Sequence, residues 1–107
     1  MIYGFVGASK GLTGAQFHAL ALAVARNHEH TFTFPDVGEG TGAHEQVLYI
    51  TRAVGVSVEL LVADGAPEAL VHTRIVDGCN ILIACPSGPE TPRSPTWTAV
   101  RYARMAG

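Results

Sequence analysis

Four segments of this 107-residue chain place glycine, hydroxyl and basic residues where they can meet an anion. The first, "GASKGLTG" at residues 7–14, contains three glycines, a serine and a lysine. Glycines let backbone amides approach a ligand and lysine adds positive charge, so we predict ligand contacts from Gly7, Ala8, Ser9 and Lys10. It is not a Walker loop, in which four residues separate the two glycines and the lysine is followed directly by Ser or Thr. The alternative is a turn in which a glycine takes a positive φ.

A second glycine-rich segment, "GEGTGAH" at residues 38–44, precedes a predicted helix. Its spacing differs from that of a dinucleotide fingerprint. We predict ligand contacts from Gly38, Glu39 and Gly42, with Glu39 or His44 as a hydrogen-bonding partner for a ribose or a base. Turn geometry accounts for the same glycines equally well.

The third segment, "HTRIVDGC" at residues 72–79, carries Arg74, whose guanidinium suits bidentate contact with phosphate. An ion pair with Asp77 or Glu68 at the surface is the alternative. We expect His72 to be a surface residue rather than a catalytic base.

The fourth segment, "PSGPETPRSPTW" at residues 86–97, holds four of the six prolines and the single tryptophan. Prolines reduce the entropy that a loop loses when it binds a ligand. Ser94 followed by Pro95 is typical of a helix start, which attracts anions. The predicted ligand contacts here are Pro86, Arg93, Ser94, Pro95 and Thr96. We expect Trp97 to pack in the core rather than to wall a pocket.

The elements that position these segments alternate along the chain. The pattern predicts strands at 2–6, 31–34, 56–62 and 80–84, and helices at 15–27, 43–54, 68–77 and 96–105. Thr13 and Gln16 form a capping-box pattern, and Gly55 is a natural helix end. The order predicts an α/β fold, a Rossmann-like three-layer αβα arrangement with a four-stranded, mostly parallel sheet. Ligands bind beyond the carboxyl ends of such strands, where three of the four segments lie.

Composition limits the classes of function. With 48% hydrophobic and 15% charged residues, we expect one compact domain spanning residues 1–107. A net charge of −2 and no basic run argue against nucleic-acid binding. The apolar excess favours a homodimer or higher homo-oligomer. We expect a cytoplasmic protein with no membrane association, since there is no signal-like start and no apolar run of about 18 residues.

The five histidines and two cysteines lack zinc-site spacing, so we predict no metal and no cofactor. Extended chain places Cys79 and Cys85 about 20 Å apart, too far for a disulfide. Cys85 ends a strand, and a buried structural thiol is favoured there over a nucleophile.

The chain resembles the SLOG superfamily, which includes the Lonely Guy cytokinin-activating enzymes and nucleotide-sensing domains of bacterial defence. "GASKGLTGAQ" is similar to the group's Gly-(Ser/Thr)-Arg-x-Gly-Met-Thr-x-x-Gln opening, with Lys10 in place of Arg. "GEGTGAH" is similar to Gly-Asp-x-x-Gly-Ala-Asp, with Glu39 and His44 as departures. "SPTW" is similar to Ser-Gly-Thr-Trp, with Pro95 in place of Gly, and "RIVDGCNILIACP" before it also matches.

The resemblance implies binding of a nucleotide or an ADP-ribose derivative in the groove between these loops. Hydrolytic members cleave a nucleoside monophosphate with a Gly-Thr-x-x-Glu carboxylate, and Ala99 falls at that position here. An alanine cannot move a proton, so we expect binding without catalysis, as in sensing or in sequestration of an immune signal by a phage. A phosphoribohydrolase that uses Arg74 with Glu90 or Glu39 is the alternative. Relatives usually continue with a Lys-Pro-Val strand beside the fourth strand. This sequence is therefore either a trimmed minimal version or one whose exposed sheet edge pairs with another subunit, and the apolar content favours a homodimer.

Overall fold

Four parallel strands alternate with four helices in the computed structural model, which describes residues 1–8, 10–36, 42–62 and 68–106. In chain order the elements are β1 (Ile2–Gly7), α1 (Gly14–Arg26), β2 (Thr31–Asp36), α2 (Ala43–Val54), β3 (Ser57–Val62), α3 (Glu68–Asp77), β4 (Ile81–Cys85) and α4 (Pro95–Ala106). The sheet order is β3-β2-β1-β4, and every pairing is parallel. The predicted α/β, Rossmann-like fold is confirmed.

Local sequence signals account for several of these boundaries. The Thr13 side chain accepts from the Gln16 amide, and the Gln16 side chain accepts from the Thr13 amide, which is the predicted capping box. Helix α2 ends at Gly55, as predicted. Strands β2 and β4 end later than expected, at Asp36 and Cys85, because pairing with the neighbouring strands continues to these residues.

The two faces of the sheet bury different residues. Phe5 of β1 packs with the helices α1 and α2, as part of a core that includes Leu20, Val24, Phe32, Phe34, Val47 and Ile50. Val6, the next residue, packs on the opposite face with Ile75 of α3 and Ala99 of α4. Successive strand residues point to opposite faces, so β1 contributes to both cores.

The connections reverse direction beside β1. From β1 the chain moves to β2 and β3 on one side, and it then crosses to β4 on the other side. The carboxyl ends of β1 and β4 therefore form a topological switch point, the place where open α/β sheets bind ligands.

None of the helices in the described part of the chain is long and apolar enough to cross a membrane. Cys79 and Cys85 are both free thiols, as the spacing predicts.

Candidate functional site

The loops that follow β1 and β4 lie side by side at the switch point. Gly7 is opposite Cys85 in the parallel ladder, and the Ala8 amide donates to the Cys85 carbonyl at 3.3 Å. Gln16 Nε2 at the start of α1 donates to the Pro86 carbonyl at 3.0 Å. Two of the predicted site segments are therefore joined across the edge of the sheet.

The backbone amides of the first loop are largely engaged inside the protein. The Gly7 amide donates to His44 Nε2 at 3.1 Å, and the Leu12 amide donates to Gln46 Oε1 at 2.7 Å. The Gly11 amide donates to the Ala8 carbonyl, and Gly11 has a φ of 91°. This is the turn that the alternative interpretation of the glycines predicts. The amides of Gly7 and Ala8 are thus used by the fold, and the loop offers an exposed Lys10 side chain to a ligand. Ser9 lies outside the described residues.

His44 lies beneath this loop and does not face solvent. It is 5% exposed, and its ring meets the ring edges of Phe5 and His72 at centroid distances of 5.8 and 5.7 Å. Burial, followed by the nearby His72, lowers the pKa of His44 to about 4. The ring is therefore neutral at pH 7. Because Nε2 accepts from Gly7, the proton is on Nδ1.

The prediction that His72 is a surface residue is wrong, since its side chain is 0% exposed. It lies three residues before Ile75 and next to Val71, both of which face the sheet. This helical spacing places all three on the buried side of α3 and was the signal for burial in the sequence. His44 and His72 thus come from opposite sides of the sheet and meet at its carboxyl edge.

The second glycine segment is only partly described. Gly38 and Glu39 lie outside the described residues. Gly42 is the N-cap residue of α2 and provides no side-chain cap. The Ala43 amide, which follows it, donates to the Ala8 carbonyl at 3.1 Å, so the start of α2 is attached to the first loop.

The proline-rich loop folds onto the outer face of α4. Trp97 Nε1 donates to the Gly88 carbonyl at 2.9 Å, and Arg104 lies over the indole at 6.0 Å. Arg101 donates to Glu90 Oε2 and to the carbonyls of Thr91 and Pro92. Trp97 is two residues from Ala99, about 200° around the helix, so it faces away from the sheet. The expected core packing of Trp97 is wrong, because the indole packs against the loop.

Helix α4 begins as its sequence predicts, with Pro95 as its first residue. Ser94 Oγ accepts from the Trp97 amide at 3.3 Å, so this hydroxyl serves as a cap. Thr96 is 2% exposed and faces the interior. The exposed group among the predicted contacts of this loop is Arg93.

Arg74 is not brought to these loops. It lies in the last turn of α3, and its carbonyl accepts from the Gly78 amide. Asn80, shortly afterwards, is bonded to Ile2 at the amino edge of the sheet. Because α3 runs antiparallel to the strands, its last turn lies toward the edge opposite the switch point. The exposed Arg74 is therefore displaced from the predicted site.

The groups considered for catalysis are engaged elsewhere. Glu90 pairs with Arg101 at 3.2 Å and Arg104 at 3.5 Å on the outer face of α4. Ala99 is fully buried against Val6 and Ile75. Burial raises the pKa of the Cys85 thiol, which disfavours the nucleophilic thiolate. Among the described residues, no three His, Cys, Asp or Glu side chains are grouped as metal ligands.

Two glutamines that sequence reasoning did not assign to the site hold its loops. Gln16 serves in the capping box and also reaches Pro86, while Gln46 accepts from Leu12. Both lie in the first turn of a helix, where a long polar side chain reaches back to the preceding loop. A glutamine in the first turn of a helix was the feature of the sequence that could have identified both residues.

No protein-family model, curated protein or solved structure gives a significant match to this chain.

Proposed function

We propose that the protein binds a nucleotide-derived small molecule, of the ADP-ribose type, at the switch point between β1 and β4 and does not hydrolyse it. The observation that supports the proposal is the pairing of β1 with β4, because the segments bearing Lys10 and Arg93 both continue from the carboxyl ends of these two strands. Two exposed cations at one edge of the sheet suit the paired phosphates of such a ligand. The resemblance to the SLOG superfamily supplies the ligand class.

The site is pre-organised in a way that favours binding. Gln16 and Gln46 fix the loops through short hydrogen bonds, and Arg101 ties the proline-rich segment to α4. Loops that are ordered before the ligand arrives lose less entropy on binding.

Binding is favoured over hydrolysis because two proposed catalytic positions point away from the site. The Glu90 carboxylate pairs with arginines on the outer face of α4, and Ala99 is enclosed in the core. A general acid must lie within hydrogen-bonding reach of the bond that it cleaves. Glu39, the other carboxylate considered, lies outside the described residues.

Calorimetry tests the proposal directly. The protein is titrated with ADP-ribose, its cyclic isomers, NAD and cyclic dinucleotides, and we expect saturable binding of an ADP-ribose-type compound. Absence of heat with all of them would overturn the proposal. Incubation with nucleoside monophosphates, followed by chromatography for free base, separates binding from hydrolysis; released base would favour the phosphoribohydrolase.

We further propose a cytoplasmic homodimer that sequesters its ligand as an anti-defence protein, as the resemblance suggests. Strand β4 is the last strand on its side of the described sheet, and its five residues carry no charge. Strand β3, at the opposite edge, carries the exposed Glu59, a residue type that discourages edge pairing. Ile81 of β4 is 41% exposed, which favours pairing through this edge. Light scattering during gel filtration, with Ile81→Lys as the variant, distinguishes a dimer from a monomer.

A further inference from the structure

We propose that His44 is a positioning residue for the site: as a neutral imidazole it holds the loop after β1 through the Gly7 amide, and its protonation releases that loop. The consequence for ligand affinity rests on the proposed function, whereas the consequence for the loop does not.

The first turn of α2 is the anchor of this loop. Gly7 donates to His44 Nε2, Leu12 donates to Gln46 Oε1, and Ala43 donates to the Ala8 carbonyl. These three bonds join the end of β1 and the loop to a single helical turn. A change at His44 therefore acts on the segment that carries Lys10.

The junction is also closely packed. A Cβ added to Gly7 would lie 2.5 Å from the Ala43 Cβ, so the end of β1 approaches α2 within the space of a missing methyl group. The His44 ring makes T-shaped contacts with the rings of Phe5 and His72. Rotation of the imidazole away from Gly7 would break the hydrogen bond that holds the end of β1.

A proton on Nε2 would be opposed by the described groups that face it. The Gly7 amide hydrogen already points at this nitrogen. Protonation of Nε2 therefore removes the hydrogen bond and brings two N–H hydrogens against each other. Among the described contacts of His44, α3 contributes the titratable His72, and β1 contributes the Phe5 ring and the Gly7 backbone. On α2 itself Glu45 is exposed, and the first turn carries the positive end of the helix dipole. Cys85, in the same core cluster, is a thiol whose pKa is raised by burial.

Amide hydrogen exchange measured by NMR tests the loop directly, without a ligand. We expect the protection factors of Gly7 and Leu12 to fall at least tenfold between pH 7 and pH 4 in the wild type. His44→Gln places an amide oxygen near the position of Nε2 and does not titrate, so its protection factors should stay constant over this range. His18→Gln, at an exposed position of α1, is the matched control and should follow the wild type.

Two outcomes overturn the positioning role. One is wild-type protection of Gly7 that does not change between pH 7 and pH 4. The other is a His44→Gln variant that loses protection with pH as the wild type does. His44→Leu, which removes the acceptor, should lose the protection of Gly7 at pH 7. If His44→Leu does not fold, the exchange data for the wild type and His44→Gln still test the positioning role.

Calorimetry with ADP-ribose adds the functional readout. At pH 7.5 the wild type and His44→Gln should bind equally. At pH 4 about half of the wild type is protonated at His44, so the wild type should bind about twofold more weakly than the variant. Equal affinities at pH 4 would overturn the link from His44 to binding. If the wild type binds no ADP-ribose at pH 7.5, ADP-ribose is not the ligand. The hydrogen-exchange experiment then still tests whether His44 holds the loop.

Discussion

Gly7 and Ala43 meet so closely that a methyl group on Gly7 would lie 2.5 Å from the Ala43 Cβ. The contact brings the end of β1 against the first residue of α2, whose next residue, His44, accepts from the Gly7 amide. Gly7 is thus required by packing at the centre of the candidate site. Gly7 is one of the glycines that suggested a phosphate cradle, and close packing against Ala43 explains its presence.

Replacing Gly7 with alanine should lower the free energy of unfolding by about 2 kcal/mol, because the methyl group forces β1 and α2 apart. Urea denaturation measures the change. Gly14→Ala is the matched control, since nothing lies within 4 Å of a Cβ there. It should be neutral or stabilising by about 0.5 kcal/mol. Equal stability of the two variants would contradict the packing.

Stability should fall in acid because His44 is buried as the neutral form. Its folded-state pKa is about 4 and its ordinary value is 6.5, so the unfolded chain binds the proton more readily between these values. Stability is therefore complete above pH 6.5 and declines as the pH falls toward 4, by about 3 kcal/mol in all from this group. Urea denaturation from pH 7.5 to pH 4 measures the decline. It should be smaller by this amount in His44→Gln and unchanged in His18→Gln.

Removal of Arg101 should loosen the proline-rich loop. Its guanidinium holds Glu90 and the carbonyls of Thr91 and Pro92, so Arg101→Ala should cost about 1 kcal/mol. It should also shift Trp97 fluorescence to the red as the indole becomes hydrated. Arg104→Ala removes a more exposed partner of Glu90 and should change stability by less than about 0.5 kcal/mol. An unchanged emission spectrum in Arg101→Ala would mean that the loop is held by other contacts.

Affinity for the proposed ligand should depend on Lys10 and Arg93 and not on Arg74. The Lys10→Ala, Arg93→Ala double variant removes the two cations proposed to contact the ligand and should weaken ADP-ribose binding by roughly tenfold or more. Arg74→Ala removes the same charge at the end of α3 that lies toward the opposite edge of the sheet. Calorimetry compares the two variants. If Arg74→Ala alone weakened binding, the ligand would contact Arg74, as the family resemblance implied.

A carboxylate at position 99 should damage the fold and should not create a hydrolase. Ala99 is 0% exposed between α4 and the sheet, so Ala99→Glu buries a charge and should cost at least about 3 kcal/mol. Thermal unfolding measures the loss, and free base from nucleoside monophosphates is the assay for activity. Ala19→Glu, at an exposed position of α1, is the control and should remain close to wild type. A stable, active Ala99→Glu protein would show that this position faces the ligand.

The sequence by itself determined the elements and their order. Local signals are sufficient for this, because the Thr13–Gln16 capping box, the Gly55 helix end and the Pro95 helix start act within one turn of the chain. The alternation of strands and helices then leaves a parallel sheet as the arrangement that right-handed crossovers permit. The edge of the sheet at which we propose that a ligand binds follows from that topology.

Only the tertiary structure decided which residues at that edge are exposed to a ligand. His44 and His72 lie on helices that cover opposite faces of the sheet, and their contact depends on the packing of both. Trp97 is directed outward by the rotation of α4, and Glu90 of the preceding loop is held by Arg101 and Arg104 on that outer face. Arg74 is displaced because α3 runs back along the sheet. These outcomes depend on contacts between residues far apart in the chain. Helical spacing could indicate the buried side of α3, but the direction of a loop side chain such as Glu90 depends on close packing.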